Sequence, residues 1–205
     1  MRTRRKGRTL INILLEGVGG QGTVLAAKVL AQAAQDKGWH VRTAETIGMA
    51  QRGGNVTSHV RMGDCGEQVS SPLIARGTAQ VIVAFEPAEA AGALKYLAPN
   101  GVVVTASTGV QPVTAALSER PYPAAGVLAE LKRLLGDRVG VVDDAALTAS
   151  VGTTKALNTL LLAAAVKTGR LPISFDELRA AIQACVKPQF AELNFKAISL
   201  VENGN

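Results

Sequence analysis

The chain has 205 residues, 47% of them apolar, with 22 Lys and Arg against 16 Asp and Glu, enough for one sizeable core in a single domain. Five of the six net positive charges lie in Arg2, Arg4, Arg5, Lys6 and Arg8; the nearly neutral body, with 3% aromatic residues, lacks the basic face and stacking platform of a nucleic-acid binder. Two cysteines, Cys65 and Cys185, can build neither a disulfide framework nor a four-thiolate iron–sulfur cage.

The basic start followed by Leu10 to Leu15 mimics a secretion signal, but Glu16 and a glycine turn end the apolar stretch early and no cleavage site follows. The longest apolar run elsewhere, Leu160 to Val166, falls short of the ~20 residues that cross a bilayer. The expectation is a cytoplasmic chain with no membrane and no nucleic-acid partner: residues 1–9 a disordered basic arm, residues 10–203 a single domain.

Leu10 to Leu15 reads as a buried strand, and Leu25, Val29, Leu30 and Ala33 recur at helical spacing over Thr23 to Lys37 before Gly38. His40 to Ile47 reads as a second strand, running into the glycine-rich loop Gly48 to Gly54. Val56 to Met62 alternates apolar with polar residues, and the turn Gly63 to Gly66 predicts a hairpin over Val56 to Ser70. Val81 to Phe85 is a continuous apolar strand, and Pro87 opens a helix to Leu97. Pro99-Asn100-Gly101 turns into strand Val102 to Ala106, and helix Ala125 to Leu135 leads to strand Val139 to Val142. Thr154 to Lys167 is a helix apolar nearly all round; Ser174 and Glu177 form a capping box; Pro188 opens the last helix. The fold class is α/β: three layers, α/β/α, with a mixed, mostly parallel sheet and a helical C-terminal third.

Gly17-Val18-Gly19-Gly20-Gln21-Gly22 matches G-x-G-x-x-G between a strand and a helix, and Glu45 stands where a ribose-binding acid would. Glycines there let backbone N–H groups approach a phosphate at a helix N-terminus. A dinucleotide site is one reading; glycines that only make a tight turn and close helix–sheet packing are another. Against the first, no helix follows the second strand.

Four segments in this order, Gly17 to Gly22, Gly48-Met49-Ala50-Gln51-Arg52-Gly53-Gly54, Ser71-Pro72-Leu73-Ile74 and Phe85-Glu86-Pro87-Ala88-Glu89, resemble the gamma subunit or domain of 2-oxoacid:ferredoxin oxidoreductases. The second motif with Asn55 to Arg61, and the tail from Lys155 through Leu171-Pro172-Ile173 to Asn194-Phe195-Lys196-Ala197, are most similar to the beta subunit of indolepyruvate ferredoxin oxidoreductases. The resemblance spans about residues 10–203. It implies oxidative decarboxylation of a 2-oxoacid, of indolepyruvate or another arylpyruvate type, to an acyl-coenzyme A and carbon dioxide, with electrons passing to ferredoxin. It also implies that thiamine diphosphate, magnesium and 4Fe–4S clusters belong to a large partner subunit, since Gly63-Asp64-Cys65 has no downstream diphosphate partner and no Cys-rich run exists here. Coenzyme A is then a substrate of the complex, this chain holds no cofactor alone, and in isolation it is inactive, a homodimer being one state open to it.

Candidate binding residues are Gly17, Gly19, Gly20, Gln21, Gly22, Met49, Gln51, Arg52, Gly53, Gly54 and Glu86; none is assigned a catalytic or metal-binding role. Arg52 offers a planar guanidinium fork either to a phosphate or carboxylate or to an ion pair with the large subunit. Glu86 either caps the helix after it or faces the coenzyme A or thiamine site. His59 reads as a surface or hydrogen-bonded histidine, Cys65 as an exposed thiol, Cys185 as core, and Lys155 and Lys187 as solvated. If the first two strands run parallel, their following loops emerge together at the carboxyl edge of the sheet, where ligands of α/β folds collect. Three readings stand at this point: a subunit of such a complex, a nicotinamide-dependent oxidoreductase, and a purely structural subunit.

Overall fold

The computed structural model describes residues 10–48, 54–64, 69–109 and 123–204; the basic arm, the Cys65 turn and Met49 to Gly53 lie outside the described residues. The strands are β1 (Leu10–Val18), β2 (His40–Ile47), β3 (Asn55–Gly63), β4 (Ala79–Ala84), β5 (Leu97–Ala106) and β6 (Val139–Val142). They form one sheet in the order β2-β3-β1-β4-β5-β6. β1, β4, β5 and β6 pair in parallel, whereas β3 runs antiparallel to both β1 and β2. The apolar runs that begin β1 and fill β4 occupy the middle of the sheet, where both faces are covered, as strands without polar alternation require.

Helices α1 (Thr23–Asp36), α5 (Leu157–Lys167), α6 (Phe175–Cys185) and α7 (Ala191–Asn203) cover one face. Their core includes Ile13, Leu15, Leu30, Val83, Leu161 and Leu178, each such buried side chain favouring the fold by ~1.5–3 kcal/mol. Helices α2 (Pro87–Ala93) and α3 (Ala124–Leu135) cover the other face around Leu14, Ile82, Val103 and Leu131. α4 (Asp144–Val151), a further helix, joins a smaller cluster of Val151, Ala156, Leu160 and Ala197. Among the described residues no single helix is long and apolar enough to cross a membrane.

The mixed, three-layer architecture is the expected one, but the hairpin is not where the turn at Gly63 puts it. β2 pairs with β3 in the register Ile47↔Val56, and Gly48 N–H donates to the Asn55 carbonyl at 2.8 Å, so the glycine-rich loop is itself the hairpin connection. Val69 and Ser70 are not strand. Instead the segment from Val69 to Thr78 straps the α2 face of the sheet beyond α2. Ile74 is buried and donates its N–H to His59 Nδ1 at 3.2 Å, while Arg61 holds Asn12 Oδ1 at 2.9 Å and the Ser71 carbonyl at 2.6 Å. His59 is thus a buried, hydrogen-bonded residue, with burial lowering its pKa and Tyr96 edge-on to its ring at 6.2 Å.

Two boundaries also differ from the expected ones. The helix opened by Pro87 ends at Ala93, and a 3₁₀ turn leads directly into β5 at Leu97. Pro99-Asn100-Gly101 therefore lies within β5, where the register against β4 shifts, and Gly101 packs so closely that a Cβ would sit 2.7 Å from the Ala79 carbonyl. The capping box is present in full, Ser174 Oγ accepting from Glu177 N–H and Glu177 Oε2 from Ser174 N–H. Cys185 lies at the margin of the core, its thiol 3.9 Å from the Lys28 carbonyl and raised in pKa by burial.

Arg61→Ala strands Asn12 and the strap carbonyls together; the variant is expected to lose about 1–3 kcal/mol of stability, read from the urea midpoint.

Candidate functional site

α1 returns from β1 on one face of the sheet and α2 leaves β4 on the other, so the connections diverge between two neighbouring parallel strands. Such a divergence opens a crevice outside the carboxyl ends of the two strands. The Phe85 N–H donates to the Glu16 carbonyl at 2.8 Å and closes the crevice floor.

The glycine loop forms one wall, and its glycines do different work. Gly17 is still strand; a Cβ there would lie 2.8 Å from Gln21 Oε1 and 2.8 Å from Thr23 Cγ2. Gly20 (φ +99°) and Gly22 (φ +90°) adopt left-handed backbone that other residues rarely hold, and Gly22 is the N-cap of α1. The first turn of α1 has neither a side-chain cap hydrogen bond nor an acidic residue, and Asn158 packs against its N-cap Gly22. Gly19 and Gly20 are exposed at the tip.

β1 and β2 both oppose β3 and therefore run the same way, so the loops that follow them emerge at the same edge. They touch: Gly19 N–H donates to the Gly54 carbonyl at 3.0 Å. Met49, Gln51, Arg52 and Gly53 lie outside the described residues, but both flanks of their loop, Gly48 and Gly54, are hydrogen-bonded in place.

The opposite wall is acidic. Glu86 is buried at the N-cap of α2 without capping it through its side chain; instead Glu86 Oε1 accepts from Gln21 Nε2 at 2.9 Å. Glu16, read from sequence only as the end of an apolar run, is buried on the α2 side, accepting from Thr57 Oγ1 at 2.7 Å. Burial pushes its pKa up to about 7, the Thr57 bond partly offsetting this and nearby Glu89 adding to it. Glu89 is raised as well, by burial and by Glu86. Burial thus favours the neutral forms of Glu16 and Glu89 on the α2 wall, with the Lys95 charge opposing the rise at Glu16.

Asp144, also unanticipated, organises the next part of this edge. Its carboxylate accepts from the Ser107 N–H and hydroxyl, each at 2.9 Å, from the Thr108 N–H at 3.0 Å and from the Thr108 hydroxyl. Burial would raise its pKa, but these bonds outweigh it and hold the group below the usual carboxylate range. The signal in sequence was an acidic pair at a strand end, the Asp143 side chain capping α4 through the Ala146 N–H.

The nicotinamide reading fails on topology: β2 is separated from β1 by an antiparallel strand, and exposed Glu45 sits on that outer strand rather than next to the glycine loop. Lys155 and Lys187 are exposed.

A family model described as pyruvate ferredoxin/flavodoxin oxidoreductase matches residues 12–201. Indolepyruvate oxidoreductase subunit IorB of Archaeoglobus fulgidus is 34% identical over 194 residues, 94% of each chain. The gamma subunit of a keto/oxoacid ferredoxin oxidoreductase from Geobacter sulfurreducens shares the fold with a TM-score of 0.64 at 22% identity, over 94% of each chain. A 2-oxoglutarate:ferredoxin oxidoreductase from Magnetococcus marinus, solved with 2-oxoglutarate, coenzyme A and succinyl-CoA, matches with a TM-score of 0.66 at 18% identity, over 97% of this chain but 31% of that one.

Because Glu16 is raised from 4.5 to about 7, folding favours its neutral form, and that stabilisation, complete below pH 4.5, is lost as pH rises through 7. Glu16→Gln is expected to melt at least about 4 °C above the parent at pH 8, at roughly 2–4 °C per kcal/mol, and level with it at pH 4.5. Thermal scans at the two pH values check this convergence.

Proposed function

The chain belongs to the pyruvate ferredoxin/flavodoxin oxidoreductase family, and we propose that it works as the small subunit of a 2-oxoacid:ferredoxin oxidoreductase, presenting its crevice to coenzyme A. In the reaction a 2-oxoacid, coenzyme A and two oxidised ferredoxins give an acyl-coenzyme A, carbon dioxide, two reduced ferredoxins and a proton. The IorB relative favours an arylpyruvate of the indolepyruvate type as the 2-oxoacid.

Among the described residues no three His, Cys, Asp or Glu side chains are placed to hold a metal ion. Two cysteines in the whole chain cannot supply the four thiolates of an iron–sulfur cluster, and we assign the clusters and thiamine diphosphate to a larger partner. The match of this fold to 31% of the Magnetococcus chain, which leaves the rest of that chain for other domains, supports that division of labour.

The observation that carries the reading is the meeting of the two loops through Gly19 and Gly54 above the strand divergence. The glycine tip and the first turn of α1 are assigned to a phosphate of coenzyme A, and Arg52 is assigned as the cation for the same group.

A charge-assisted contact of this kind is worth ~1.5–3 kcal/mol, so in a complex reconstituted with the thiamine-bearing partner Arg52→Ala should raise the KM for coenzyme A about tenfold or more. Arg52→Lys should recover part of the loss, since an ammonium keeps the charge without the planar fork. Normal assembly with an unchanged KM excludes the anion role; loss of assembly alone marks Arg52 as an interface residue and favours a structural subunit.

A further inference from the structure

Gln21 is the side chain that joins the two walls of the crevice. Its Oε1 accepts from the Val18 N–H at 2.7 Å, and its Nε2 donates to Glu86 Oε1 at 2.9 Å. One amide group thus ties the end of β1 and the start of the glycine loop to the turn between β4 and α2. Gly17 leaves the room for it, because a Cβ at that position would stand 2.8 Å from Gln21 Oε1. Between the two anchored residues lie only Gly19 and Gly20, which have no side chains to fix them and the widest backbone freedom of any residue. Gln21 is partly buried beneath this exposed tip.

We propose that Gln21 is a positioning residue: its hydrogen bond to Glu86 across the crevice holds the Gly19–Gly20 tip in the shape that receives the phosphate, so the ligand meets an ordered loop. The identity of that ligand rests on the coenzyme A reading above; the ordering of the loop does not. The site needs one group that accepts from a backbone N–H while donating to a carboxylate, and at this reach a carboxamide does both. A carboxylate at position 21 would instead face Glu86 directly, beside Glu16 and Glu89. Exchanging the two residue types restores the pattern in mirror image, with the carboxamide at position 86 donating and the carboxylate at position 21 accepting twice.

The test is a double-substitution cycle of Gln21→Glu and Glu86→Gln, with two readouts. Hydrogen exchange over residues 17–23 of the full chain reports loop order; the KM for coenzyme A against kcat in the reconstituted complex reports its use. Gln21→Glu is expected to speed exchange in the loop and raise the coenzyme A KM about tenfold, leaving the 2-oxoacid KM and kcat at saturating coenzyme A nearly unchanged. Adding Glu86→Gln should return both readouts to the level of Glu86→Gln alone. A double variant as impaired as Gln21→Glu overturns the proposal, and so does a coenzyme A KM that Gln21→Glu leaves unmoved. In the latter case Arg52→Ala separates the causes: if it raises that KM, positioning alone fails, and if it does not, the coenzyme A reading fails with it. Should Gln21→Glu not fold, Gln21→Met, of similar length and without hydrogen bonds, is expected to give the same loss with no rescue by Glu86→Gln; rescue there overturns the proposal too.

Discussion

The carboxyl edge of this protein depends on one arrangement: β1 and β4 lie side by side and parallel while their following helices leave to opposite faces. Any other strand between them would separate the glycine loop from Glu86 and remove the crevice. The arrangement is secured by central strands buried on both sides and by β3, whose reversed direction returns the chain from the β2 loop to the flank of β1. That reversal lets two glycine-rich loops, more than thirty residues apart in sequence, share a hydrogen bond.

The same geometry divides the crevice electrically. α1 starts with an uncapped turn and contributes positive potential, whereas the α2 side gathers Glu16, Glu86 and Glu89 in a setting that burial makes costly for charge. Hydrogen bonds from Thr57 to Glu16 and from Gln21 to Glu86 offset part of that cost, and the Lys95 charge offsets more of it at Glu16. Asp144, further along the edge, is likewise held by neutral donors, Ser107 and Thr108.

Much of this was legible in the sequence. The run Leu10 to Leu15 announced a strand, the spacing of Leu25, Val29, Leu30 and Ala33 announced α1, and Ser174 with Glu177 marked a helix start to the residue. The glycines at 20 and 22 could be read as backbone devices because few other residues hold their conformation. What escaped depended on partners distant in sequence. Glu16 gave no sign of its role because Thr57, the residue that makes its burial tolerable, stands 41 positions away. α4 went unread because Asp144 to Val151 is built of small residues with no apolar stripe, and the strap over β3 because its Arg61 anchor sits inside an ordinary alternating strand. The misplaced hairpin has the same origin: two turns rich in glycine flank β3, and only the pairing with β2 decides which one reverses the chain.

Gly17 carries a consequence for how such a sequence can drift. Its missing side chain is surrounded by Gln21, Thr23 and Phe85, the last with its Cβ 3.1 Å from where an added methyl would sit. A substitution at 17 is therefore not an independent step: it is admissible only after positions 21 and 23 have yielded space, and a shortened residue 21 can no longer reach Glu86. The order of events along a lineage is constrained, with change at Gly17 following change at positions 21 and 23. The exposed tip at Gly19, whose added Cβ would meet nothing nearer than the Gly54 carbonyl at 3.8 Å, has no such steric bar.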